Sequence, residues 1–211
     1  MLKNVFQKTL SGVAAGLLIS IGGTVFLAVE NRYVGAVLFS VALLCICIKG
    51  YSLYTGRIGF IPEKHGGDDI LGLLLGLLGN ALATLAGGLA IAAAFPAYRE
   101  TAAALCLSKL ETQTLPGTFI RACFCGVLMY LAVSIYKNHQ KLIGVLFCIP
   151  VFILSGFEHS VADMFYFSAA GSFTWSSLLF IFVVVLGNSV GAVILPLITD
   201  VFSFKKKEER S

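Results

Sequence analysis

Charge is what this sequence has least of. Asp, Glu, Lys and Arg make up 12% of its 211 residues, whereas 58% are apolar, and a soluble domain carries about a quarter charged residues. No soluble fold of this length hides so much apolar surface, because small domains still expose much of what they own. A bilayer removes the mismatch, since a crossing helix needs runs of roughly 20 apolar residues. The net charge of +4 is modest, and Lys205, Lys206, Lys207 and Arg210 follow directly on the last apolar run. A basic tail there suits the anionic inner leaflet rather than nucleic acid.

Other absences narrow the class further. There is no disulfide framework: Cys45, Cys47, Cys123, Cys125 and Cys148 lie inside apolar runs, where cysteine acts as a small hydrophobe, and only Cys106 falls in an expected loop. There is no metal set, because Glu158, His159 and Asp163 have no second histidine nearby and structural zinc wants four ligands. Nor is there an intramembrane serine protease. Ser155 and His159 share one segment, the G-x-S-G pattern is missing, and no cofactor motif appears, so an enzyme is not expected. The run from Gly12 to Val29 exceeds a signal core and lacks a small-x-small cleavage pattern, so it reads as a mature span.

What is present is a single transmembrane domain over 1–211. Six spans are expected at roughly 9–29, 33–54, 70–95, 118–136, 142–167 and 175–199, separated by polar stretches that include Arg99 to Pro116. An even count puts both termini on one side. That side holds Lys3, Lys8, Arg57, Lys64, Lys137, Lys141 and the four basic tail residues, against Arg32, Arg99 and Lys109 on the other. The excess of cations places both termini in the cytoplasm, with residues 200–211 as a cytoplasmic tail.

Two spans are interrupted. The second runs into Leu53-Tyr54-Thr55-Gly56-Arg57-Ile58-Gly59-Phe60, and the fifth is broken by Ser155-Gly156-Phe157-Glu158-His159. Opened backbone at membrane depth is tolerated only against protein or a water-filled cavity. Leu78-Gly79-Asn80 recurs as Leu186-Gly187-Asn188. Three spans (about 9–95) followed by three similar ones (about 118–199) enter from opposite sides, which makes an inverted repeat with its site between the broken helices. Small residues four apart (Gly12 and Gly16; Gly79, Ala83 and Gly87; Gly187 and Gly191) allow close helix packing, within a bundle or an oligomer.

Ionisable residues within such spans are candidates for function. They are Lys49, Arg121, Glu158, His159 and Asp163. Arg121 lies near the start of its span and can snorkel to the outer interface. Lys49 fits an interfacial, an acid-paired or an oligomer-contact role. His159 stands at the helix break beside Glu158, where an imidazole can attract an anion or exchange a proton with it.

The stretch Ser155-Gly156-Phe157-Glu158-His159-Ser160-Val161-Ala162-Asp163-Met164 resembles the fifth-helix signature of the formate/nitrite transporter family. Leu53-Tyr54-Thr55-Gly56 resembles the family's second-helix loop, and Leu186-Gly187-Asn188-x-x-Gly191 its sixth-helix motif. The resemblance implies an all-α, aquaporin-like fold in the inner membrane, assembled as a homopentamer with one pore per protomer. It makes His159 the central pore histidine and Thr55 the threonine facing it, with Glu158, Asn80 and Asn188 in support. Phe39, Leu43, Leu53, Tyr54 and Phe152 would line apolar constrictions. A vestibule lysine common in the family is replaced by Thr114, and Lys109 or Arg121 would supply that positive field instead.

The expected function is passage of small monovalent weak-acid anions, with His159 sharing or exchanging a proton. Formate leads, followed by nitrite, hydrosulfide, acetate and lactate; a water or ammonia pore is the alternative. Partners would be the anion, protons, lipid and further copies of the chain, with no cofactor.

Overall fold

The structure is a computed structural model that describes residues 2–62 and 66–208, with side chains described for 5–62 and 66–199. Lys3, Lys64 and the basic side chains of the tail lie outside the described set. The described elements are helices: α1 Leu2–Ala28, α2 Arg32–Lys49, α3 Tyr54–Arg57 with a 3-10 turn at Ile58–Phe60, α4 Gly67–Ala94, α5 Pro96–Thr112, α6 Leu115–His139, α7 Ile143–Leu154, α8 Ser160–Ala170 and α9 Trp175–Glu208. Among the described residues, five helices are long and apolar enough to cross a membrane: α1, α2, α4, α6 and α9. Large apolar side chains such as Leu74, Leu78, Phe147, Phe182 and Leu186 stay exposed on the outer faces, as suits a bundle whose solvent is lipid.

Two interlocked pairs form the frame. Helix α1 packs on α4, and α6 on α9. A Cβ at Gly12 would collide with the backbone of Gly76, and one at Gly126 or Gly191 with the backbone of Asn188 or Cys123. Much of the small-residue spacing is therefore consumed inside one chain, where it lets helix axes approach closely.

Of three sequence expectations, two change. Helix α2 stops at Lys49, not Tyr54, because Gly50 takes φ +69° and the next amides turn back: Gly50 N–H donates to Cys47 O and Tyr51 N–H to Ile46 O. This αL closure ends a helix without orphaning its carbonyls. The interruption thus lies at residues 50–53, while Gly56 and Gly59 fall in the short helix and turn beyond it. Second, the break expected in 142–167 at residues 155–159 lies between two helices, α7 and α8. The closure repeats the one at Gly50: Gly156 has φ +69°, its N–H donates to Ile153 O, and Phe157 N–H donates to Phe152 O. Third, the polar stretch after α4 folds as α5. Pro96 occupies a first-turn position, where its missing N–H costs nothing, and Thr101-Ala102-Ala103-Ala104-Leu105 is rich in helix formers. Cys106, expected in a loop, is buried on the face of α5 that meets α8.

Candidate functional site

Each helix interruption is held by one asparagine. Asn80 on α4 accepts the Tyr54 N–H at 2.9 Å, and its amide donates to Ser52 O at 2.9 Å and Gly12 O at 2.8 Å. Asn188 on α9 accepts the Ser160 N–H at 2.8 Å and donates to Glu158 O at 2.8 Å and Ala122 O at 2.9 Å. Both side chains are fully buried. One carbonyl and one amide opened by each break are thereby satisfied within the protein, as hydrocarbon depth requires. In this register Leu53 and His159 occupy equivalent positions, each between the accepting carbonyl and the clamped amide.

His159 is the N-cap of α8. Its Nδ1 accepts the Ala162 N–H at 3.1 Å, and its Nε2 lies 2.8 Å from Thr55 Oγ1. A ring nitrogen that accepts a backbone N–H carries no proton, so the neutral ring has its hydrogen on Nε2 and donates it to the threonine. A charged ring would place a second N–H against the Ala162 amide and lose the cap. Phe152 stacks on the imidazole, with centroids 5.6 Å apart and planes 18° apart. Thr55 and His159 are both buried.

Two cavities approach this pair from opposite ends of the bundle; His159 lines the second, and Leu53 and Gly56, which flank Tyr54 and Thr55, line the first. The first, about 440 Å³, is lined by Leu43, Leu53 and Gly56 at its inner end, and by Lys8, Arg57 and Lys137 further out. The second, about 430 Å³, is lined by Phe39, Phe152 and His159, with Arg32, Lys109 and Arg121 further out. Phe39 and Leu43 sit one turn apart on α2, each facing a different cavity. The expected constriction residues thus divide into two sets. Tyr54 joins neither, since its hydroxyl is 2.8 Å from Ser189 Oγ on α9.

The vestibule charges are also distributed unevenly. Lys109 forms an ion pair with Glu158 and another with Asp163, the latter at 2.9 Å. Gln113 donates to Glu158 at 2.7 Å and accepts from Thr118 at 3.2 Å. Ala102, Cys106 and Lys109 share the face of α5 that carries this cluster, and Gln113 follows as its C-cap. Burial alone would lower the Lys109 pKa, but Asp163 and Glu158 beside it reverse the sign and hold it above the usual lysine value, so it stays charged across the neutral range. Lys109 enters the cavity wall already paired. Arg121 instead donates to Gly156 O at 3.0 Å, and Lys49 is exposed at the end of α2.

Sequence reading gave Asp163 no partner and counted Arg32 only in the charge balance between the two sides, yet Asp163 binds Lys109 and Arg32 donates to Ile153 O at 3.1 Å. Only the proximity of Asp163 to His159 hinted at this, because the contacts to Lys109 and Ile153 join distant parts of the chain. No group of three or more His, Cys, Asp or Glu able to hold a metal occurs among the described residues.

Residues 2–202 match the family described as formate/nitrite transporter. The chain is 30% identical over 202 residues to the uncharacterised transporter YrhG of Bacillus subtilis (strain 168), covering 85% of this chain and 75% of that one. It is 31% identical over 196 residues to a probable formate transporter of Methanothermobacter thermautotrophicus, covering 76% and 70%. The fold is that of a solved pentameric formate channel with formate bound, with a TM-score of 0.80 over 96% of this chain and 98% of that one, at 21% identity.

Proposed function

We propose that this chain, which belongs to the formate/nitrite transporter family, conducts small monovalent weak-acid anions, formate foremost, past the Thr55–His159 pair. The observation that carries the reading is that pair itself: a 2.8 Å hydrogen bond, buried, with a cavity approaching from each end of the bundle. The α7–α8 pair makes a sixth crossing in this reading, and the two asparagine-clamped breaks are the centres of an aquaporin-like inverted repeat. Both termini face the cytoplasm, so the first cavity opens inward and the second outward across the inner membrane. The solved formate channel's pentameric assembly, carried over, gives five such conduits.

The mechanism follows from the cost of a bare charge. Leu43 and Leu53 on one side, with Phe39 and Phe152 on the other, make the centre expensive for an anion and much less so for its neutral acid. His159 presents an Nε2–H at that point, held there by the Ala162 N–H on its other nitrogen. An arriving anion displaces the Thr55 hydroxyl as acceptor and shares this hydrogen, while Thr55 turns its own hydroxyl toward the anion. Sharing at Nε2 keeps the N-cap intact, whereas full transfer would require a doubly protonated ring that loses it.

Gradients of formate, nitrite and hydrosulfide across proteoliposomes test the reading. Each is expected to shift internal pH faster than in protein-free liposomes, with formate fastest. Passage of water or ammonia alone, with no anion-driven change, would overturn it.

A further inference from the structure

Six cations line the two cavities, Lys8, Arg57 and Lys137 in the first and Arg32, Lys109 and Arg121 in the second, and they are not equivalent. Lys109 is neutralised by its ion pairs to Glu158 and Asp163. One ammonium between two carboxylates offers no net attraction to an anion. Arg32 and Arg121 line the same cavity and, among the described residues, have no carboxylate within ion-pair distance.

Both guanidinium groups are held by the same piece of backbone. Arg32 Nη2 donates to Ile153 O at 3.1 Å and Arg121 Nη1 to Gly156 O at 3.0 Å. These carbonyls lie at the C-terminal end of α7 and just beyond it, where the exposed oxygens and the negative dipole end would otherwise repel an anion. Only one nitrogen of each arginine is engaged, which leaves further N–H donors of each fork without a protein partner among the described residues. A planar guanidinium matches two oxygens on one centre through parallel N–H bonds, and a lysine cannot reproduce this.

We propose that Arg32 and Arg121 form the anion-receiving site of this cavity, and that they favour planar two-oxygen anions such as formate and nitrite over single-centre anions such as hydrosulfide. The proposal rests on the reading of the chain as an anion conduit and names the substrate class of that conduit's entrance. The two arginines act ahead of the Thr55–His159 pair, loading the cavity rather than passing the barrier, so their effect falls on KM.

The test uses the purified full chain in neutral-lipid proteoliposomes, with formate and hydrosulfide uptake measured for wild type, Arg32→Lys, Arg121→Lys and the two glutamine variants. Lysine keeps the charge and can still reach a carbonyl, but lacks the fork. The lysine variants are expected to raise KM for formate roughly 3- to 10-fold and to leave that for hydrosulfide within about twofold. The glutamine variants should raise both at low ionic strength, with the increase shrinking as salt screens the exposed charge. Equal KM shifts for both anions in the lysine variants would overturn the fork argument. A fall in maximal flux with KM unchanged would make the arginines braces for the α7 end and overturn the proposal. Wild-type protein that moves neither anion removes this inference together with the conduit reading, whereas normal wild-type flux with unaffected variants removes this inference alone.

Discussion

At position 109 a single ammonium meets two buried carboxylates, and physical cost gives this cluster its meaning. Removing one partner of a buried pair leaves uncompensated charge, which costs about 3–5 kcal/mol. Lys109→Met is therefore expected to lower the thermal stability of the detergent-solubilised protein markedly, and Lys109→Met combined with Asp163→Asn to recover part of the loss. An unchanged melting temperature for the single variant would show that the cluster bears no structural load. The sequence placed Lys109 in a positive vestibule but could not show its neutralisation, because Glu158 and Asp163 lie 49 and 54 residues away. His159 was legible as the histidine at a break beside Glu158. Its tautomer was not, since that depends on which ring nitrogen caps α8.

The helix breaks teach the matching lesson at the scale of elements. Leu78-Gly79-Asn80 and Leu186-Gly187-Asn188 were visible as an echo, and the structure gives the echo a cause: each asparagine closes one interruption with three hydrogen bonds. Asn188→Leu would orphan the Ser160 N–H and the Glu158 carbonyl, at about 1–3 kcal/mol for each buried group, and would cut the tie to the Ala122 carbonyl of α6. The expected outcome is a sharply reduced yield of folded protein on size-exclusion chromatography, and Asn80→Leu should behave alike. Normal yield and melting behaviour from either would contradict the clamp. The first break was placed too late along the chain because Gly56 and Gly59 resemble helix breakers, whereas the residue that turns the chain is Gly50. A comparison of Gly50-Tyr51 with Gly156-Phe157 carries the missing signal, glycine then aromatic, four residues before the clamped amide. Helix α5 escaped notice because its buried face is narrow, and its exposed polar residues read as a connection between spans.

For the whole molecule, composition alone specified the solvent, and the scarcity of charge made the few buried ionisable groups conspicuous. Family membership fixes the class of transport. Leu43 and Leu53 face one cavity and Phe39 and Phe152 the other, and in the proposed conduit the barrier is the residues between them. That division depends on side-chain packing among α2, α7 and the short α3, which no local pattern encodes. Formate uptake into proteoliposomes by His159→Phe, compared with wild type between pH 5 and 8, tests the central claim most directly. Phenylalanine fills the imidazole's place beside Phe152 but has no Nε2–H to share. The account predicts intact assembly with uptake reduced by roughly tenfold or more across that range. Uptake and pH dependence equal to wild type would contradict it.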